Sequence, residues 1–143
     1  MKNLLAKLNY KGHLRIAVIN AEDHFFKAIS KELKEVITDR EIDQRCPYEY
    51  MIFFVRSVRE VEYFAPIALH NLTADGILWF CYPKKSSRKY SSDLERNRGW
   101  KVLNEFGFYG IRMVAVDDDW SAMRFRNVKY IKSTSGRYPV ERI

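Results

Sequence analysis

Residues that could carry chemistry cluster between Gly76 and Arg126. An apolar run, Ile77-Leu78-Trp79-Phe80-Cys81-Tyr82, ends in Pro83-Lys84-Lys85-Ser86-Ser87. The two ammonium groups, the hydroxyls and the backbone donors of this loop are the ingredients of an anion site. In parallel α/β sheets, ligands bind beyond the carboxyl ends of the strands, which is where these lysines would lie. A second strand leads into Asp117-Asp118-Asp119-Trp120, which brings carboxylates to the same edge. Consecutive residues on an extended turn diverge, so at most two of these aspartates would reach one hard cation such as magnesium. Their expected role is to cap backbone amides, and no metal is assigned. Trp120 either covers the site or anchors the hairpin. The strand ends supply a candidate ligand-binding set: Asn20, Arg56, Ser57, Lys84, Lys85, Ser86, Asp117 and Trp120.

Other chemistries lack their residues. The turn after the first strand reads Asn20-Ala21-Glu22-Asp23-His24, with no glycine and two acids. Glycines there let a backbone approach a phosphate or a nucleoside cofactor, so their absence argues against dinucleotide and S-adenosylmethionine binding, and no cofactor is expected. Asp39, after a short second strand, is the one vestige of a ribose-binding acid. His13, His24 and His70 are isolated from one another and from cysteine. Ser57 and Ser86 have no His-Asp partnership, so a serine hydrolase is unsupported. Cys46 and Cys81 belong to no CxxC pair, which leaves neither a zinc site nor a disulfide framework.

The elements that must hold these residues read as one domain of 143 residues. Leu4, Leu5 and Leu8 suit a short helix closing at Gly12. Strands are expected at Leu14–Ile19, Glu35–Thr38, Tyr50–Val55, Ile77–Tyr82, Ile111–Val116 and Met123–Tyr130; the longer central ones are apolar throughout, as strands buried on both faces are. Phe26, Ile29 and Leu33 mark the inner face of one helix, and Val58 to Leu72 form another, with Pro66 expected to kink or restart it. Asp39 to Pro47 is a polar loop. Ala74-Asp75-Gly76 is turn chemistry, and Ser92 or Asp93 caps a helix running to Phe106 and stopped by Gly107. Parallel strands need crossovers. The fold class is therefore α/β, a Rossmann-like three-layer α/β/α arrangement whose mostly parallel sheet ends in a C-terminal antiparallel hairpin. That hairpin resembles the end of the methyltransferase variant. The domain covers 1–132, and 133–143 is expected to be a flexible tail.

Net charge is +7 with a pI near 9.4. Between Lys84 and Lys101, seven Lys or Arg stand against Asp93 and Glu95, so this segment carries most of the excess. Anionic small molecules, acidic partners and nucleic acid are the partner classes this charge admits, the last without a recognisable motif. No apolar run approaches the roughly 18 residues of a membrane span, and the N-terminus lacks a signal-peptide core. A cytoplasmic protein is expected.

Asn20-Ala21, Phe54-Val55-Arg56-Ser57, Tyr82-Pro83-Lys84-Lys85-Ser86 and Val116-Asp117-Asp118-Asp119-Trp120-Ser121-Ala122-Met123-Arg124-Phe125 resemble the signature stretches of a bacterial family known as a domain of unknown function. The resemblance covers about Gly12 to Arg126, and its most specific parts are the Pro-Lys-Lys and Asp-x-x-Trp-Ser blocks. The chain departs from the pattern in a longer polar loop before Tyr50 and in the tail after Tyr130. The resemblance implies a bacterial cytoplasmic domain of methyltransferase-like layout and supplies no catalytic residues. The leading expectation is a non-enzymatic or degenerate Rossmann-like domain that binds an anionic ligand or acidic partner at the strand edge. The alternatives are a methyltransferase-like enzyme using S-adenosylmethionine through an atypical cofactor loop, and a nucleic-acid accessory protein using the basic 84–101 surface.

Overall fold

Four apolar stretches become the centre of a six-stranded sheet. The computed structural model describes residues 4–131. In chain order these form α1 (Leu4–Lys7), β1 (Arg15–Ile19), α2 (Asp23–Glu32), β2 (Ile37–Asp39), β3 (Tyr48–Phe54), α3 (Val58–Asn71), β4 (Leu72–Pro83), α4 (Lys101–Glu105), β5 (Phe108–Ala115), β6 (Trp120–Asn127) and a 3₁₀ turn at Val128–Tyr130. The sheet order is β2-β1-β3-β4-β6-β5; β1 to β4 run parallel, while β6 is antiparallel to both of its neighbours. This is the expected Rossmann-like arrangement. The tail expected over 133–143 lies outside the described residues.

Strand alternation sends side chains to two cores. Met51, Phe53, Leu78, Phe80 and Phe125 face α3 and α4, where Val61, Ala65, Ala68 and Leu103 meet them. Ile16, Val18, Ile52, Phe54, Trp79 and Cys81 face α1 and α2, meeting Leu4, Leu5, Leu8, Phe25 and Ile29. Helices on both faces explain why the central strands are apolar at every position. One carbonyl fastens the N-terminal turn to the sheet: Leu8 O accepts from Tyr50 Oη at 2.7 Å and from Trp79 Nε1 at 2.8 Å, both buried.

The structure corrects several boundaries. Ser92 and Asp93 do not start a helix; α4 is only Lys101–Glu105. The two side chains are spent elsewhere, Ser92 Oγ accepting from Leu94 N and Asp93 Oδ1 from Val58 N. Gly99 then turns the chain at φ 104°, a conformation no helix contains. Pro66 does not break α3, which runs unbroken from Val58 to Asn71. It is exposed, and the carbonyl it deprives, that of the exposed Glu62, can be hydrated. Ala74-Asp75-Gly76 lies within β4 as an irregularity, with Asp75 at φ 54° and a register shift before Tyr50↔Ile77. In α2 Phe25 replaces Phe26 on the buried face, and Phe26 sits partly buried beneath the Arg40 guanidinium. The last strand ends at Asn127, its expected final residues forming the 3₁₀ turn. Residues 40–47 link β2 to β3 without a helix, a short crossover made possible by the three-residue length of β2.

Candidate functional site

The carboxyl ends of β1, β3 and β4 share one edge with the β5–β6 turn. The crossover by α2 leads from β1 outward to β2, and the crossover by α3 leads the other way, so the sheet reverses direction between β1 and β3. In open α/β sheets this switch point is the ligand crevice. Asn20 ends β1 at φ 62°, the left-handed conformation that asparagine tolerates better than other side chains. It does locally what a glycine does in a cofactor-binding turn. Its Nδ2 donates to Phe54 O at 2.8 Å and to Glu60 Oε2 at 3.2 Å, tying β1 to the end of β3.

Across this crevice lies a clamp. Arg56 stands 3.7 Å from Glu22 Oε2, and its guanidinium covers the Tyr90 ring at 4.8 Å. Tyr90 Oη donates to Glu22 Oε1, which together with partial burial raises the phenol pKa. The Tyr90 ring packs 5.2 Å from Trp120, which in turn meets Phe54 and Phe25. Trp120 is 2% exposed, so it anchors the hairpin and does not line an open site. Ser57 is likewise committed: its Oγ accepts from Glu60 N at 3.2 Å and caps α3, while Glu60 accepts from Arg56 N at 2.6 Å.

The aspartate turn is self-satisfied. Asp117 Oδ1 accepts from Asp119 N and Trp120 N, both at 2.8 Å. Asp119 meets the lysine loop through Ser87 Oγ at 2.7 Å and through its carbonyl, which accepts from Lys84 N at 2.7 Å. The lysine ammonium groups themselves take no part: Lys85 pairs with Glu95 and not with an aspartate of the 117–119 turn, and Lys84 forms no ion pair among the described residues. A cavity of about 600 Å³ opens here, lined by Tyr82, Lys84, Lys85, Ser86, Arg96 and Arg98 among others, with Glu95 its single carboxylate. Burial pushes the Tyr82 phenol up to about 12 despite the nearby Arg96. A larger groove of about 1080 Å³ adjoins it, sharing Arg96, Asn97, Arg98 and Met113 and containing no acid.

No family model matches the chain, and no curated protein matches it in sequence. Solved structures do. A putative type 11 methyltransferase from Sulfolobus solfataricus superposes with a TM-score of 0.51 at 10% identity, covering 98% of this chain and 83% of that one. The Haemonchus contortus phosphoethanolamine N-methyltransferase 2, solved with phosphomonomethylethanolamine and S-adenosylhomocysteine, gives 0.53 at 11% identity, covering 89% of this chain and 38% of that one. The fold is methyltransferase-like. Identity this low speaks to the fold alone.

Within that fold the expected site divides in two. Asn20, Arg56 and Trp120 gather on the α2 side of the edge, whereas Lys84, Lys85 and Ser86 line the cavity on the α4 side. That cavity includes neither Asn20, Arg56 nor Asp117, although the Lys84 N–H bond to Asp119 O holds the lysine loop against the aspartate turn on the same edge. Tyr90 joins the halves: its N–H donates to Ser87 Oγ of the lysine loop, and its ring lies beneath Arg56. Asp39 is not left for a ribose, because it accepts from Arg15 Nε and from Tyr48 Oη, both at 2.6 Å. Glu22 and Tyr90 are the partners that sequence reading did not pair, being 68 residues apart. Arg96 and Arg98 were visible only as part of a charge run, with no sign that they face a cavity. Among the described residues, no three His, Cys, Asp or Glu side chains converge as a metal site. Among the described residues, no helix is long and apolar enough to cross a membrane.

Proposed function

We propose that this methyltransferase-like domain is a binding module for an anionic ligand, a phosphate or carboxylate held by Lys84, Lys85, Ser86, Arg96 and Arg98. The observation that carries this reading is the roughly 600 Å³ cavity at the strand edge, where four cationic side chains face one carboxylate. Glu95 is shared between Lys85 and Arg98, and Lys84 retains a charge that no acid among the described residues neutralises. An oxyanion is the group that would complete the site. Its setting, as the sequence resemblance implies, is the bacterial cytoplasm.

The test is a series of denaturant melts with increasing inorganic phosphate at constant ionic strength. A ligand that binds only the native state raises its stability by mass action. Parent protein should gain stability with phosphate, and the Lys84→Ala, Lys85→Ala double variant should lose most of that gain. An equal response in both proteins defeats the reading.

One observation favours methyl transfer from S-adenosylmethionine as a second reading. Asn20 holds the β1 turn in the left-handed conformation, within a fold similar to two methyltransferases. Against it stand the missing glycines and the Tyr90–Glu22 clamp across the crevice. Calorimetry with S-adenosylmethionine separates the two: micromolar binding promotes the enzyme, and its absence leaves the binding module.

A further inference from the structure

Arg112 on β5 and Arg124 on β6 are register partners in the terminal hairpin. Directly opposed residues put their side chains on one face with Cβ atoms about 4.5–5.5 Å apart, and like charges in that arrangement repel. Arg126 follows two positions along β6, hence on the same face. It grips Asp75 through Nε and a terminal nitrogen, both at 2.7 Å, so this carboxylate is already engaged. Neither Arg112 nor Arg124 forms an ion pair with any described residue. Arg124 is also partly withdrawn from water: its Nε is buried and has no hydrogen-bond partner. Burial first, and then the charges of Arg126 and Arg112, lower its pKa. A hairpin built for stability alone has no use for two opposed arginines with a stranded donor between them. Arg124 is the cross-strand partner of Trp79 and shares its face of the sheet, so the arginine pair stands on the α1–α2 face, opposite the groove of about 1080 Å³ that Met123, Phe125 and α4 line.

We infer that Arg112 and Arg124 form a second oxyanion site, separate from the Lys84 cavity, that takes a phosphate group. Guanidinium groups are planar forks that match phosphate oxygens two at a time, and an anion between them removes the repulsion while satisfying Arg124 Nε. The phosphate belongs either to a small molecule or to a nucleic-acid strand, and the two differ in salt dependence.

The experiment compares the full chain with Arg112→Gln, Arg124→Gln and Lys84→Ala. Without phosphate and at low ionic strength, Arg112→Gln should melt at or above the parent temperature, because a repulsion is gone and the side chain is exposed. Saturating inorganic phosphate at constant ionic strength should reverse that order, with Lys84→Ala keeping the part of the response that Arg112→Gln loses. The ¹⁵N–¹H signal of Arg124 Nε should shift on phosphate titration in the parent and be unmoved in Arg112→Gln. Anisotropy of a labelled single-stranded oligonucleotide decides the source. Binding whose log–log salt slope falls by about one phosphate contact in Arg112→Gln points to a strand. A response to inorganic phosphate alone points to a small molecule, and either outcome supports the site. Phosphate and oligonucleotide responses identical in parent, Arg112→Gln and Arg124→Gln, with a static Arg124 Nε signal, overturn it. A response abolished by Lys84→Ala and untouched by Arg112→Gln also overturns it, while leaving the Lys84 cavity standing.

Discussion

Tyr90 donates its hydroxyl to the carboxylate of Glu22, 68 residues earlier in the chain, and so lays the segment after the lysine loop across the β1–β3 crevice. Arg56 caps this contact from the open side, over the phenol ring and beside the same carboxylate. Glu22, Arg56 and Tyr90 thus hold one another across the switch-point crevice.

That clamp is measurable. Tyr90→Phe keeps the ring against Trp120 and removes only the hydroxyl, so the expected loss is about 0.5–1.5 kcal/mol in denaturant unfolding. Glu22→Gln should cost a similar amount. The double variant should lose less than the sum of the two, because both changes break one interaction. Strict additivity would mean that the two groups do not act on each other in solution.

Gly99 and Gly12 both have positive φ, 104° and 81°, yet their surroundings differ. A Cβ at Gly99 would come within 2.4 Å of Leu94 Cδ2 and 3.1 Å of Val58 Cγ2, whereas at Gly12 nothing lies within 4 Å. Gly12→Ala should therefore cost only its backbone conformation, about 1 kcal/mol. Gly99→Ala adds overpacking against the buried Leu94, for a total of about 2–4 kcal/mol. Thermal melts of the two variants rank them, and equal losses would contradict the packing around Gly99.

The two cysteines should react differently. Cys81 is 0% exposed and burial pushes its thiol pKa up, while Cys46 is partly exposed at the end of the polar loop. Since the thiolate is the nucleophile, a disulfide reagent should modify one thiol per native chain, Cys46. Cys81 should follow only as fast as the protein unfolds. Rapid modification of both would place β4 at a less protected position.

Alkali should unfold the protein through its tyrosines. Tyr48 is pushed up to about 12 by burial first and by its bond to Asp39 second, and Tyr82 to about 12 by burial. A phenol whose pKa is raised in the folded state stabilises it fully below the ordinary value near 10. That contribution is lost as pH rises from about 10 to about 12. Urea midpoints should fall over this window, and Tyr48→Phe should flatten the decline. A midpoint constant to pH 12 would show that these phenols ionise freely.

The sheet was legible because its physics is local. Strands buried on both faces need apolar residues in succession, and Ile16–Ile19, Tyr50–Phe54 and Ile77–Tyr82 supply them. The segment from Ser92 to Trp100 was misread for the opposite reason. Its capping-type residues are ordinary helix signals, but Ser92 binds Leu94 two residues on, and Asp93 binds the start of α3, which only the tertiary fold brings near. The lysine loop was placed correctly at the edge, whereas the partner of Lys85 came from Glu95 within the misread segment. Asn20 carries no mark in sequence of its left-handed backbone. The opposition of Arg112 and Arg124 depends on the irregularity between Gly110 and Arg112, because a one-residue slip sends every later side chain to the other face.

The shared carbonyl of Leu8 has a consequence for the order of events during synthesis. Tyr50 follows it by 42 residues and Trp79 by 71. At translation rates of roughly 5–20 residues per second, Leu8 waits on the order of 4–14 seconds before its second donor has been made. Until then α1 has no finished surface to rest on, and its leucines face water. Leu4, Leu5 and Leu8 are thus made well before the strands that seat them, and a pause between Tyr50 and Trp79 would lengthen the time those leucines are available to other chains.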